Sequence, residues 1–145
     1  MSKLIRWDTP FADSFFPSVT AGFTTADLHQ ETILRIVVSD GAVFPKYSVE
    51  FRKVLVFSCV DEGCAPERKW PDTEQYDSNP CAWIWTDSPS IKSYQNCNFD
   101  SDGLPEKMDH YLIFGGDNNV EVIAKDQPTI NTLNESGKLD FVFHY

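Results

Sequence analysis

Apolar and polar positions alternate in some stretches of the chain and run unbroken in others, and the two patterns predict different kinds of strand. Ile33-Leu34-Arg35-Ile36-Val37-Val38 is rich in β-branched residues and ends at Ser39-Asp40-Gly41, which reads as a strand closed by a turn. Tyr47, Val49 and Phe51 alternate with Ser48, Glu50 and Arg52, after which Val54-Leu55-Val56-Phe57 is apolar throughout. This pattern predicts one long strand, half exposed and then buried, with a bulge near Arg52 and Lys53. Ala82-Trp83-Ile84-Trp85-Thr86 predicts a short strand. His110–Phe114 and Val120–Ala124, joined by Gly115-Gly116-Asp117-Asn118-Asn119, predict a hairpin whose turn residues accept positive φ. Leu139, Phe141, Phe143 and Tyr145 alternate with Asp140, Val142 and His144 in a sixth strand.

Helical signals are short. Asp87 or Ser88 before Pro89 matches a helix N-cap with proline in the first turn, followed by one or two turns through Ile91-Lys92-Ser93-Tyr94. Thr129 to Glu135, between Pro128 and Gly137, reads as a second helix with a glycine C-cap. Residues 1–30 hold Pro10, Pro17, Gly22 and the aromatics Trp7, Phe11, Phe15, Phe16 and Phe23 without sustained periodicity. They read as an extended arm or loops with aromatic anchors, and a helical turn near Thr25–His29. Residues 61–80, with three prolines and many charges, read as a long acidic loop, a type that is usually functional. About six strands and one or two short helices predict an α+β fold with a mainly antiparallel sheet. No repeat or flexible linker divides the 145 residues, so one domain over 1–145 is expected.

Charge sharpens this picture. The net charge is −10, and between Asp61 and Glu121 thirteen acids face four bases, while residues 1–60 balance at zero. Phosphate contacts need Lys and Arg, so the acidic middle argues against nucleic acid and is consistent with a basic partner. An acidic surface also serves solubility alone. The opening residues Met1-Ser2-Lys3-Leu4-Ile5-Arg6-Trp7-Asp8 lack an apolar signal core, and no window approaches the run of about eighteen apolar residues that spans a membrane. A cytoplasmic protein with reduced Cys59, Cys64, Cys81 and Cys97 is expected, and no membrane partner.

Candidate chemistry is incomplete at every position. Asn98-Phe99-Asp100-Ser101-Asp102-Gly103, with Asp109 at the twelfth position, resembles a Ca²⁺ loop, but Asn98 opens it, Pro105 interrupts it and Asp109 is short for its role. The cysteines form no CxxC pair, so no metal centre and no cofactor is expected. Cys59 is expected to end a buried strand as a small hydrophobe. No histidine is placed by sequence beside a cysteine, and His110 and His144 read as hydrogen-bonded strand residues. Gly115-Gly116 has no following helix or Lys-Ser/Thr for a phosphate. Trp83 and Trp85 share a strand face and read either as core or as an aromatic platform for a sugar or a protein. The carboxylates could include two catalytic acids, but composition selects none.

The segments Ile84-Trp85-Thr86-Asp87-Ser88, Ile91-Lys92-Ser93, His110-Tyr111-Leu112-Ile113-Phe114, Asp117 and Val120-Glu121-Val122-Ile123-Ala124 resemble small bacterial immunity proteins of polymorphic toxin systems. The resemblance covers residues 83–124 and rests on structural motifs, and Gly115-Gly116 and Asn96–Asp109 depart from the pattern. It implies an immunity function, the neutralising of a toxin, and carries over no partner or functional residue. The acidic charge makes a basic nuclease the expected cognate toxin domain, and no catalytic residue is expected. The expected partner surface is Glu67, Trp70, Asp72, Glu74, Tyr76, Asp77, Asp100, Asp102 and Asp117. A small hydrolase using carboxylates and a small-molecule or glycan binder are the alternatives.

Overall fold

Ten strands and one helix, rather than six strands and one or two helices, make up the computed structural model, which describes residues 2–26, 31–40, 43–61, 70–71, 73, 80–96, 102–103, 107–133 and 139–144. The strands are β1 (Lys3–Arg6), β2 (Ser18–Ala26), β3 (Glu31–Asp40), β4 (Val43–Phe51), β5 (Val54–Asp61), β6 (Ala82–Thr86), β7 (Asp109–Phe114), β8 (Asn118–Ala124), β9 (Thr129–Leu133) and β10 (Leu139–His144); α1 is Pro89–Gln95. They form two five-stranded sheets, ordered β1-β6-β7-β8-β5 and β10-β9-β4-β3-β2. Every strand pairing within them is antiparallel. The mainly antiparallel α+β expectation therefore holds, with more strands than the sequence pattern resolves.

The stretch from Tyr47 to Phe57 is not one bulged strand. Phe51 ends β4 in one sheet and Val54 opens β5 in the other, and Lys53 makes the corner with φ 50°. The chain crosses back the same way from β8 to β9, and the Lys125 N–H donates to the Lys53 carbonyl at 3.2 Å, tying the two crossings together. β4 neighbours β9 in one sheet and β5 neighbours β8 in the other, so two adjacent strands change sheet side by side. The bulge itself lies a little further on, between Val54 and Val56.

Alternation then fills the space between the sheets. Val19, Leu34, Ile36, Val38, Val49, Phe51 and Ile130 meet Ala82, Tyr111, Ile113, Val120, Val122 and Ala124. Trp7 and Phe11, from the segment after β1, complete this core, the Trp7 ring lying 4.8 Å from Tyr111. Leu4, Trp83, Trp85 and Leu112 form a second cluster, while Ile91 of α1 packs with Met108 and Ile123 in a third. Helix α1 starts where the pattern placed it: the Ser88 hydroxyl accepts the Ile91 N–H at 3.2 Å, and Pro89 occupies the first turn.

Two further expectations are corrected. Thr129–Leu133 is a strand, not a helix: β-branched Thr129, Ile130 and Thr132 sit between β4 and β10, where pairing on both sides overrides a weak helical signal. Within the stretch read as an extended arm or loops with aromatic anchors, Lys3–Arg6 and Ser18–Ala26 form β1 and β2, while Trp7 and Phe11 do anchor the segment between them. Thr25 and Ala26 belong to β2, and the rest of the expected helical turn lies outside the described residues.

Candidate protein-binding surface

The connection from β1 to β2 crosses one end of the sandwich and divides its aromatics between inside and outside. Trp7 and Phe11 go into the core, whereas Phe15 and Phe16 are 82% and 64% exposed. The two outer rings stand 4.3 Å apart, edge to face. Phe16 holds φ 48°, a left-handed conformation that costs a side-chain-bearing residue about 1–3 kcal/mol. Hydrogen bonds around it maintain that conformation. The Cys81 N–H donates to the Ala12 carbonyl and the Gly116 N–H to the Pro17 carbonyl, both at 2.9 Å. The Cys81 thiol donates to the Phe11 carbonyl at 3.2 Å, and burial pushes that thiol up to about 11, so it stays protonated at neutral pH. Arg6 grips both carboxylate oxygens of Asp13, at 2.6 and 3.0 Å.

Beside the two phenylalanines an open cleft of about 310 Å³ is lined by Phe114, Pro80, Cys81 and Asn119. Its floor is the β7–β8 turn, where Gly115 is required: a Cβ there would lie 2.6 Å from the Asn118 carbonyl oxygen and 2.9 Å from that of Pro17. Asp117 fixes this turn to β2. Its carboxylate accepts the Val19 N–H at 3.0 Å, the Ser18 hydroxyl at 3.1 Å and the Asn118 N–H at 2.9 Å. Burial pulls its pKa up, but those hydrogen bonds outweigh it and hold the carboxyl below its ordinary value, so the rim carries a negative charge. Exposed Asp61 faces Asn118 across the β5–β8 register and adds another acid to this end.

Of the residues expected to bind a partner, the structure therefore gives Asp117 a turn-fixing position at the cleft. Trp70 is 37% exposed, its ring 5.4 Å from Trp85 and 5.3 Å from Phe114. Asp102 is exposed. Glu67, Asp72, Glu74, Tyr76, Asp77 and Asp100 lie outside the described residues, as does most of the calcium-like loop. Among the described residues no group of three or more His, Cys, Asp or Glu side chains is placed to hold a metal ion. Phe15 and Phe16 were not distinguished by the sequence from the aromatics around them. Their only local sign is the aromatic pair placed directly before Pro17.

Trp83 and Trp85 are buried, which is the core reading of that pair rather than an open platform. Cys59 carries a free thiol on β5, an outer strand of its sheet among the described residues, and is exposed rather than buried. Burial, and after it the charge of Asp117, raises that thiol's pKa, which lowers its thiolate fraction. His110 is hydrogen-bonded as expected: Nδ1 lies 2.9 Å from the Ser88 hydroxyl and Nε2 3.0 Å from Glu121 Oε1, with Trp85 stacked on the ring. Ser, His and Glu in contact are the side chains of a nucleophilic triad. Here the Ser88 hydroxyl is buried and accepts the helix-capping Ile91 N–H, and the two ring nitrogens of His110 bridge it to Glu121. The arrangement fastens α1 to β7 and β8.

Among the described residues no helix is long and apolar enough to cross a membrane. Compared with known proteins, the chain matches no family model, no curated protein and no solved structure.

Proposed function

We propose that this protein is an immunity-type inhibitor that acts in the cytoplasm by binding and occluding a toxin domain. The observation that carries this reading is the exposed Phe15–Phe16 pair, held in a strained backbone beside an apolar cleft. Exposed aromatics on a rigid frame lose little conformational entropy on docking, and such residues dominate the energetics of protein interfaces. A net charge of −10 favours a basic partner, such as a nuclease domain, and speeds its encounter. The likeness of residues 83–124 to immunity proteins supports the choice of a toxin among basic partners.

The reading expects a secreted toxin to be encoded next to this protein, and the test is binding to that toxin's domain. Phe15→Ala and Phe16→Ala should each weaken affinity by roughly tenfold or more while leaving the fold unchanged, because both rings lie outside the core. Association should slow as salt rises. Absence of binding by the unaltered protein, or full affinity in the double alanine variant, would refute the reading.

A further inference from the structure

The two sheets leave four outer strands, and three of them carry devices that discourage pairing with another chain. β1 is four residues long with Lys3 and Arg6 at its ends. β5 has a bulge and ends in Asp61, and β10 has a register shift between Leu139 and Phe141. β2 has none of these, and the β7–β8 turn covers only its first residues, through Val19. Its nine residues, Ser-Val-Thr-Ala-Gly-Phe-Thr-Thr-Ala, include no charge and no proline, and its register with β3 runs unshifted from Ser18 opposite Ser39 to Ala26 opposite Glu31.

The direction of its free backbone follows from Val19. The Val19 N–H donates to Asp117 and its carbonyl accepts from Asn118 Nδ2 at 3.0 Å, so both groups point away from β3. Backbone direction alternates along a strand, and Ala21 and Phe23 therefore also turn N–H and carbonyl outward. Among the described residues no strand pairs with that side. Phe23 is 55% exposed even with its ring 5.4 Å from Phe57.

We infer that β2 is a dimerisation edge, on which a second copy of this chain adds its own β2 antiparallel about a two-fold axis at Gly22. Gly22 is the central residue of the strand, and a Cβ there would meet nothing within 4 Å, so no contact inside the chain explains a glycine that weakens the strand. The open space beside Gly22 leaves room for a second strand. At the axis the two glycines form a non-hydrogen-bonded pair, with Cα atoms about 4.5 Å apart. Ala21 then exchanges both backbone hydrogen bonds with the partner's Phe23, small against large, and the reverse pair does the same. Thr20 lies opposite the partner's Thr24, a favourable cross-strand pair. A strand without charge is also the place where two copies of an acidic protein meet with least repulsion. This inference is independent of the toxin-binding proposal.

Sedimentation of the full chain across a wide concentration range tests it. The expected result is a reversible shift from 16.5 kDa to twice that mass, with the Ala21 and Phe23 amides protected from hydrogen exchange only in the heavier species. Gly22→Asp places two carboxylates across the axis and should weaken pairing about tenfold or more. An equal mixture of Gly22→Asp and Gly22→Lys chains should pair again. A protein that stays at 16.5 kDa at every concentration overturns the inference, as does a dimer indifferent to Gly22→Asp or a mixture that fails to pair. Unprotected Ala21 and Phe23 amides in a dimer overturn it too, without any substitution.

Discussion

Asp117 shows how one side chain joins the two sheets. It belongs to the tip of the β7–β8 hairpin, yet two of its three hydrogen bonds go to Ser18 and Val19 of the other sheet. The folded protein holds this carboxyl below its ordinary pKa, so the contribution is full above the unfolded value of about 3.9 and is lost as pH falls through the lower, folded value. Because the group is exposed and screened, Asp117→Ala should cost about 1 kcal/mol at neutral pH. Urea unfolding at neutral and acid pH checks this: the variant's midpoint should approach the parent's under acid conditions. An equal loss at both pH values would mean that shape, not charge, is what the turn requires.

At the scale of single elements, the β7–β8 hairpin depends on a glycine for a reason that its turn signature conceals. Gly115→Ala drives a methyl group toward two backbone oxygens and the Val19 side chain, so the hairpin tip and the start of β2 must separate. Overpacking of this kind costs about 1–3 kcal/mol, readable as a lower urea midpoint, and the shift should also disturb Phe16, whose neighbour Pro17 accepts the Gly116 N–H. The hairpin, the Ser88 cap and the last strand were legible because each is specified by residues close in sequence. Thr129–Leu133 was not: Thr-Ile-Asn-Thr-Leu is compatible with either structure, and β4 and β10 decide it. Neither was the boundary at Arg52 and Lys53, since a sheet change and a bulge leave the same interruption in an apolar run. The candidate surface was hidden more deeply. Phe11 and Phe15 look alike as residues, and only the path of the chain between Ala12 and Pro17 sends one inward and the other to solvent.

For the whole molecule, the order of strands sets the order in which it can assemble. β3 and β4, or β7 and β8, are close neighbours in the chain and can pair as soon as both exist. β1 has no such neighbour: Lys3 to Arg6 pair with Thr86 to Trp83, and the Trp7 N–H continues the ladder to Ala82. Closing so long a loop carries an entropy cost that is repaid only when β6 is already in its sheet. During synthesis β1 must therefore wait for β6 to be made, and Trp7 and Phe11 must wait with it before the core is complete. In refolding followed by pulsed hydrogen exchange, amides of β7 and β8 should gain protection before those of residues 3–7. The seam between β1 and β6 closes only after β6 is seated, and until then a nascent copy of this protein exposes an unfinished interior to a chaperone.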